Sequence, residues 1–133
     1  MYEIEMNHAK RRIVLLLDHY QDHDRPQFQT DMKAAALSVR GRADHFDILA
    51  DFSNSMVMPR AIADDSEDIA VWLVANGLRR SANISKSITQ RMQIRRVTEH
   101  DQRFAMFATR DEGERWLDKH AALESADEPS LVR

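Results

Sequence analysis

The sequence predicts an α/β fold: a single domain built on a mostly parallel sheet of four to five strands, in the order ββαβαβαβα, with the first strand antiparallel and helices on both faces. Three observations predict it. Short apolar runs at 12–18, 46–53 and 104–108 alternate with longer segments whose apolar residues recur every three or four positions, as crossover-linked strands require. Residues 2–6 alternate singly instead, with Tyr2, Ile4 and Met6 set against Glu3 and Glu5, the mark of an edge strand with one wet face. Finally, RFAMFATRDEGERWL at 103–117 runs a strand straight into a helix. Thr109 and Glu112 there have the spacing of a capping box, in which each side chain satisfies a backbone N–H left free at the helix start.

Taken in order, the edge strand at 2–6 is followed by turn-like residues 7–10 and by RIVLLLD at 12–18, apolar throughout and so expected to be covered on both faces near the sheet centre. HYQDHDRP at 19–26 has no apolar period and reads as a loop; Pro26 suits a first helical turn, where its missing N–H is not needed. Phe28, Met32, Ala35, Ala36 and Val39 then fall on one helical stripe that ends at Gly41. FDILADFS at 46–53 is the third strand. A helix over about 59–76 places Ile62, Ile69, Trp72 and Leu73 on a common face, with Gly77 as its stop. Its acidic residues, Asp64, Asp65, Glu67 and Asp68, sit in the first half, as the helix dipole prefers. A fourth strand is expected at 82–86, although only Ala82 and Ile84 are apolar there. Ser87 and Gln90 repeat the capping-box spacing and open a helix carrying Met92, Ile94 and Val97, before the strand at 104–108 and the last helix. The domain is expected to span 1–121, and 122–133, without period, to be a flexible tail.

The 133 residues suit one domain able to bury a sizeable core. Nineteen basic against 22 acidic side chains give a formal charge of −3, so no global charge argues for nucleic acid or an acidic membrane. The chain has no cysteine, which excludes disulfides, thiolate metal sites and thiol nucleophiles and suits the cytoplasm. The longest apolar run, 13–17, is far short of the roughly 20 residues that span a bilayer, and the acidic start MYEIEM is unlike a secretory leader.

The order of elements, together with MQIRRV and FATRDEGERWL, resembles the SpoIIAA-like proteins, small relatives of the STAS and Sec14-type domains. Members end a strand in Phe and follow it with a helix of the form (S/T)-x-(D/E)-E-(G/A)-x-x-W-L, and Phe107, Thr109, Asp111, Glu112, Gly113, Trp116 and Leu117 match that form. The resemblance implies a four- or five-stranded sheet flanked by helices and no shared catalytic activity. Two features depart from it. Phosphorylatable STAS members carry serine in an Asp-Ser-Ser-Gly turn, whereas this chain has Asp65-Ser66-Glu67-Asp68, without glycine and inside the second helix; phosphate there meets three carboxylates, which argues against a phospho-switch. The fourth strand is also unusually polar.

Ligands of open parallel sheets bind where the carboxyl ends of the strands gather loops and helix starts. Asp18, Ser53, Ser55, Ser87 and Thr109 are expected along that rim, and Ser87 with Thr89 and Arg91 could hold an anion at a helix start. Capping alone also accounts for Ser87 and Thr109. Arg79, Arg80, Lys86, Arg91, Arg95 and Arg96 form a run without carboxylates, but no aromatic residue lies among them to stack on bases, so a solvated basic surface is preferred to a nucleic-acid site. His19 and His23, interleaved with Asp18, Asp22 and Asp24, have the composition of a metal cluster, but their spacing serves one only on a helix and this segment reads as a loop. Met56, Met58 and Met92 are expected to pack in the core, with an apolar ligand pocket or a partner surface as the other reading, most of all for the SMVMP loop.

The expected function is therefore a non-enzymatic regulatory or binding module that uses Asp18, Ser53, Ser55, Ser87 and Arg91 toward another protein or a small anion. No cofactor, metal, nucleic acid or membrane span is implied, and the exposed edge strand admits a homodimer. Two alternatives remain: a carrier of an anionic or lipid-like ligand, and a small hydrolase using His19 or His23 as base. No glycine-flanked nucleophile turn or glycine-rich phosphate loop accompanies them.

Overall fold

The computed structural model describes residues 2–18, 25–54, 60–89, 91–92, 95 and 101–127. Five strands, β1 (Tyr2–Asn7), β2 (Arg12–Asp18), β3 (Phe46–Asn54), β4 (Leu78–Ile84) and β5 (Phe104–Phe107), form one sheet in the spatial order β1-β2-β3-β4-β5. β1 is antiparallel to β2 and the remaining pairs are parallel. Three helices are described in full: α1 (Arg25–Arg40), α2 (Arg60–Ala75) and α3 (Arg110–Asp127). Residues 88–89, 91–92 and 95 are also helical, where the helix opened by Ser87 was expected, but most of that segment lies outside the described residues.

The helices divide between the two faces. Two successive parallel steps in one direction across the sheet put α1 and α2 on the same side when both crossovers have one hand. The stripe Phe28, Met32, Ala35, Ala36 and Val39 of α1, with Ile69 and Leu73 of α2, buries Ile13, Leu15, Ile48 and Leu78 there. On the opposite face α3 lies chiefly over β3, β4 and β5, where Leu117 packs on Leu49, Ala82 and Ile84, and Val14 of β2 borders the cluster. This smaller cluster includes Phe107 and Trp116, with ring centroids 5.5 Å apart. β2 is thus second from the edge rather than central, and its outer-face residues Val14 and Leu16 are half-buried.

Gly113 lets α3 approach this closely. A Cβ at that position would lie 2.7 Å from Ile84 Cδ1, 2.9 Å from Leu49 Cδ1 and 3.3 Å from Ala82 Cβ. Gly77 serves the backbone instead. With φ +110° it turns α2 into β4 while passing the Asp44 carbonyl, and a side chain there would collide with that backbone.

Two elements depart from their expected bounds by more than one residue. β4 starts at Leu78, immediately after Gly77, and ends at Ile84, instead of running over 82–86. Its inward residues Ser81 and Asn83 are buried although polar, and Asn83 Nδ2 donates to the carbonyls of Ser81 (3.3 Å) and Ala105 (3.4 Å). α3 continues to Asp127, six residues beyond the domain end expected at 121. Glu124 anchors the added turn by pairing with Arg79 (2.7 Å) and Arg80 (2.5 Å). The remainder of the expected tail, 128–133, lies outside the described residues.

Candidate functional site

The parallel strands deliver Asp18, Ser53, Ser87 and Thr109 to one margin. Asp18 closes β2 and stands opposite Asn54 of β3, beyond a register irregularity that begins at Leu16. On β3, Asp51 is buried and its Oδ1 accepts the Ser53 N–H at 2.9 Å and the Ser53 hydroxyl as well. One carboxylate oxygen therefore takes both donors of a residue two positions on, an Asx turn that orders the chain as it leaves the sheet. Asp51 was missed by sequence reasoning, since FDILADFS looks like an apolar run with incidental acids. The signal was available in the period: Asp47, Leu49 and Asp51 share a face, and two carboxylates beside a core leucine need partners.

Asp51 is opposite Ile84, the last residue of β4, so the neighbouring strand end lies directly alongside. Ser85, fully buried, donates its N–H to the Phe107 carbonyl at 3.1 Å. Its Oγ bonds with the Ser87 backbone, accepting the N–H at 3.3 Å and donating to the carbonyl at 3.4 Å. The Ser87 carbonyl then accepts the Arg91 N–H at 2.9 Å, the first helical bond of the segment. Arg91 also folds back, its Nε donating to the Ser85 carbonyl at 2.8 Å. Ser87 and Arg91 are thus brought together through Ser85, and Asp18 and Ser53 lie side by side at the ends of paired strands. Ser55, His19, His23, Met56 and Met58 lie outside the described residues. Ser66 falls within α2.

At β5 the junction is only in part the expected capping box. The Glu112 N–H reaches Thr109 Oγ1 at 3.3 Å, but the Glu112 carboxylate accepts the Thr109 hydroxyl at 3.0 Å, so one backbone donor is satisfied by the pair and the side chains bind each other.

Met92 corrects the expectation of core packing. It is 61% exposed, and Ile88, one helical turn before it, is 76% exposed. Residues four apart share a helix face, so this is an apolar pair open to solvent, with Lys86 and Arg95, also exposed, nearby in the chain.

The basic run, continuous in the sequence, is split by the fold. A register shift in the β3–β4 ladder pairs Phe46 with Leu78 and Asp47 with Arg80, leaving Arg79 as an extra residue. Both arginines consequently reach Glu124, and Arg79 also contacts the buried Asp47 at 3.4 Å. Nearby, Asp118 accepts from Arg12 at 2.8 Å and Lys10 at 3.3 Å. This network lies at the amino ends of the parallel strands, away from the rim, and holds α3 to the sheet. Burial pushes the Asp47 carboxyl upward, opposed by the charge and hydrogen bonds of Arg79. For Asp118 burial is the largest single influence and acts upward, but the hydrogen bonds and charges of Arg12 and Lys10 together outweigh it and hold the carboxyl low. His45 is held low by burial and by the nearby Arg79 and Arg11.

Among the described residues no helix is long and apolar enough to cross a membrane, and no group of three or more His, Asp or Glu is placed to hold a metal ion. No family model matches the chain, and a search of curated proteins finds no match either.

Proposed function

We propose that the chain is a non-enzymatic, SpoIIAA-like partner-binding module of the STAS-related type, which presents its carboxyl rim to an acidic region of another protein. The observation that carries this reading is the exposed Ile88–Met92 pair beside Lys86, Arg91 and Arg95, at the helix start that follows β4. Apolar side chains left in water next to same-sign charges suit a contact surface whose partner supplies apolar and acidic groups. The mixed sheet, the helices on both faces and the Phe107–Leu117 junction support the family reading. Among the described residues Ser53 is held by the Asp51 carboxylate, an arrangement that suits a structural turn.

The test compares tagged wild type with the Ile88→Asp, Met92→Asp double variant, recovered side by side from the host. An acidic protein enriched with wild type and reduced about tenfold or more with the variant is the expected result, since interface anchors contribute on that scale. The same set of proteins recovered with both chains refutes it. A small anion seen on the wild-type chain by native mass spectrometry, with no protein partner, favours the carrier reading instead.

A further inference from the structure

A second surface lies far from the rim. β1 is the terminal strand of the sheet, and among the described residues no strand pairs with its outer edge. Its side chains sort by parity: Tyr2 and Ile4 pack toward the α1 core, while Glu3 and Glu5 are exposed on the opposite side. α1 runs alongside and offers Asp31, Ala34 and Ser38 to the strand, three positions that recur on one helix face. Because Ala34 and Ser38 are short, a groove of ≈ 610 Å³ opens between helix and strand, with Ile4, Met6 and Ala35 in its lining. Hydrogen bonds brace it at both ends: Tyr2 Oη donates to Asp31 Oδ2 at 2.6 Å, and His8 Nε2 lies 3.1 Å from Ser38 Oγ.

A sheet edge with which no described strand pairs, beside a groove, admits an added strand, whose backbone extends the ladder while alternate side chains fill the groove. The glutamates decide which strand. Two copies of β1 paired antiparallel, with both α1 helices on the same side of the sheet, place a glutamate of one copy opposite or diagonal to a glutamate of the other in every overlapping register. A second copy is therefore a poor occupant. A strand with Lys or Arg at alternate positions turns those repulsions into attractions, and its apolar positions then face the groove. The geometry points to β1 as the acceptor edge for an extended segment of another protein in which apolar and basic residues alternate, bound as a sixth strand with its apolar side chains between β1 and α1.

The test uses a fluorescein-labelled heptapeptide alternating valine and lysine, titrated against the full chain at low salt by anisotropy, with amide exchange read at residues 2–7. Saturable binding that slows exchange at 2–7 is expected. A valine–glutamate peptide should bind about tenfold more weakly or worse, given two reversed cross-strand pairs. A valine–lysine peptide N-methylated on alternate residues should not bind, since it cannot join the ladder. The Glu3→Lys, Glu5→Lys double variant should reverse the preference between the two charged peptides, and Ala34→Trp, which fills the groove without touching charge, should weaken the lysine peptide. The proposal is overturned if the lysine peptide fails to bind, if the methylated form binds equally, or if protection appears at 104–107 instead of 2–7. It is also overturned if the chain alone sediments as a dimer with residues 2–7 already protected.

Discussion

Replacing Gly113 with alanine separates two opposed effects that the structure allows to be weighed. In a helix interior, alanine is favoured over glycine by about 1 kcal/mol, so a helix standing clear of the sheet gains stability from the change. Here the added methyl group would meet Ile84 Cδ1 at 2.7 Å and Leu49 Cδ1 at 2.9 Å, both closer than carbon atoms settle, with Ala82 Cβ at 3.3 Å closing the third side. Ile84 and Leu49 are themselves 1% and 0% exposed, so neither methyl can swing into solvent. Overpacking a filled core costs roughly 1–3 kcal/mol, and three simultaneous contacts belong near the upper end. The net expectation is a loss of about 2 kcal/mol, a shift of about 1 M in the urea midpoint for a slope of about 2 kcal/mol/M. Equilibrium urea unfolding followed by far-UV circular dichroism reads this directly. Lys119→Gly, at an exposed position on the same helix, calibrates the propensity contribution in place. A midpoint for Gly113→Ala equal to or above wild type refutes the close docking of α3, and with it the contact of Leu117 on β3 and β4.

Other perturbations test separate parts of the same docking. Thr109→Ala removes the hydroxyl that accepts the Glu112 N–H at 3.3 Å and is expected to cost about 1 kcal/mol in the same unfolding assay; no change would mean that this cap contributes nothing. Glu124→Ala leaves the guanidinium groups of Arg79 and Arg80 without their shared carboxylate at a half-buried site, for an expected loss of about 1–2 kcal/mol. Faster amide exchange at 121–127 should accompany it, and unchanged exchange there would refute the anchoring role of the pair. Asp118 and Asp31 both titrate lower when folded, Asp31 chiefly through the Tyr2 hydroxyl. The folded chain thus holds fewer protons than the unfolded one, and stability present above pH 3.8 is lost as pH falls through the folded values. Melting temperatures measured from pH 5 to 3 should therefore decline less steeply in the Asp31→Asn, Asp118→Asn double variant, and parallel curves would refute the assignment. Asp47 acts in the opposite sense: its raised carboxyl favours the folded state below pH 3.8 and loses that contribution as pH rises through its folded value.

Period and punctuation carried most of the architecture. The single alternation of residues 2–6 identified the antiparallel edge, RIVLLLD marked β2 residue for residue, and Gly41 and Gly77 marked two helix ends. β4 was harder to read because its buried polar residues satisfy one another and the β5 backbone, so the strand is held by ladder and side-chain hydrogen bonds instead of an apolar pattern. The fate of Arg79 and Arg80 was also out of reach, since a one-residue register shift decides it and leaves no mark in composition. At the rim, strand order alone placed Asp18, Ser53 and Ser87 on one margin. The pairing of Asp51 with Ser53 and the solvent-facing Ile88 and Met92 depend on side-chain direction, which a helical period of three or four does not reveal for a short segment.

The spatial order of the strands repeats their order along the chain, so no later strand has to be threaded between two earlier ones. The sheet can therefore grow from one side, each newly synthesised strand laid against the one just placed, so that each step closes only the crossover between neighbours, whose entropic cost rises slowly with its length. α3 leaves the ribosome after all five strands and seals the face it covers, so a chain halted before residue 110 leaves the Leu49, Ala82 and Ile84 surface wet and adhesive.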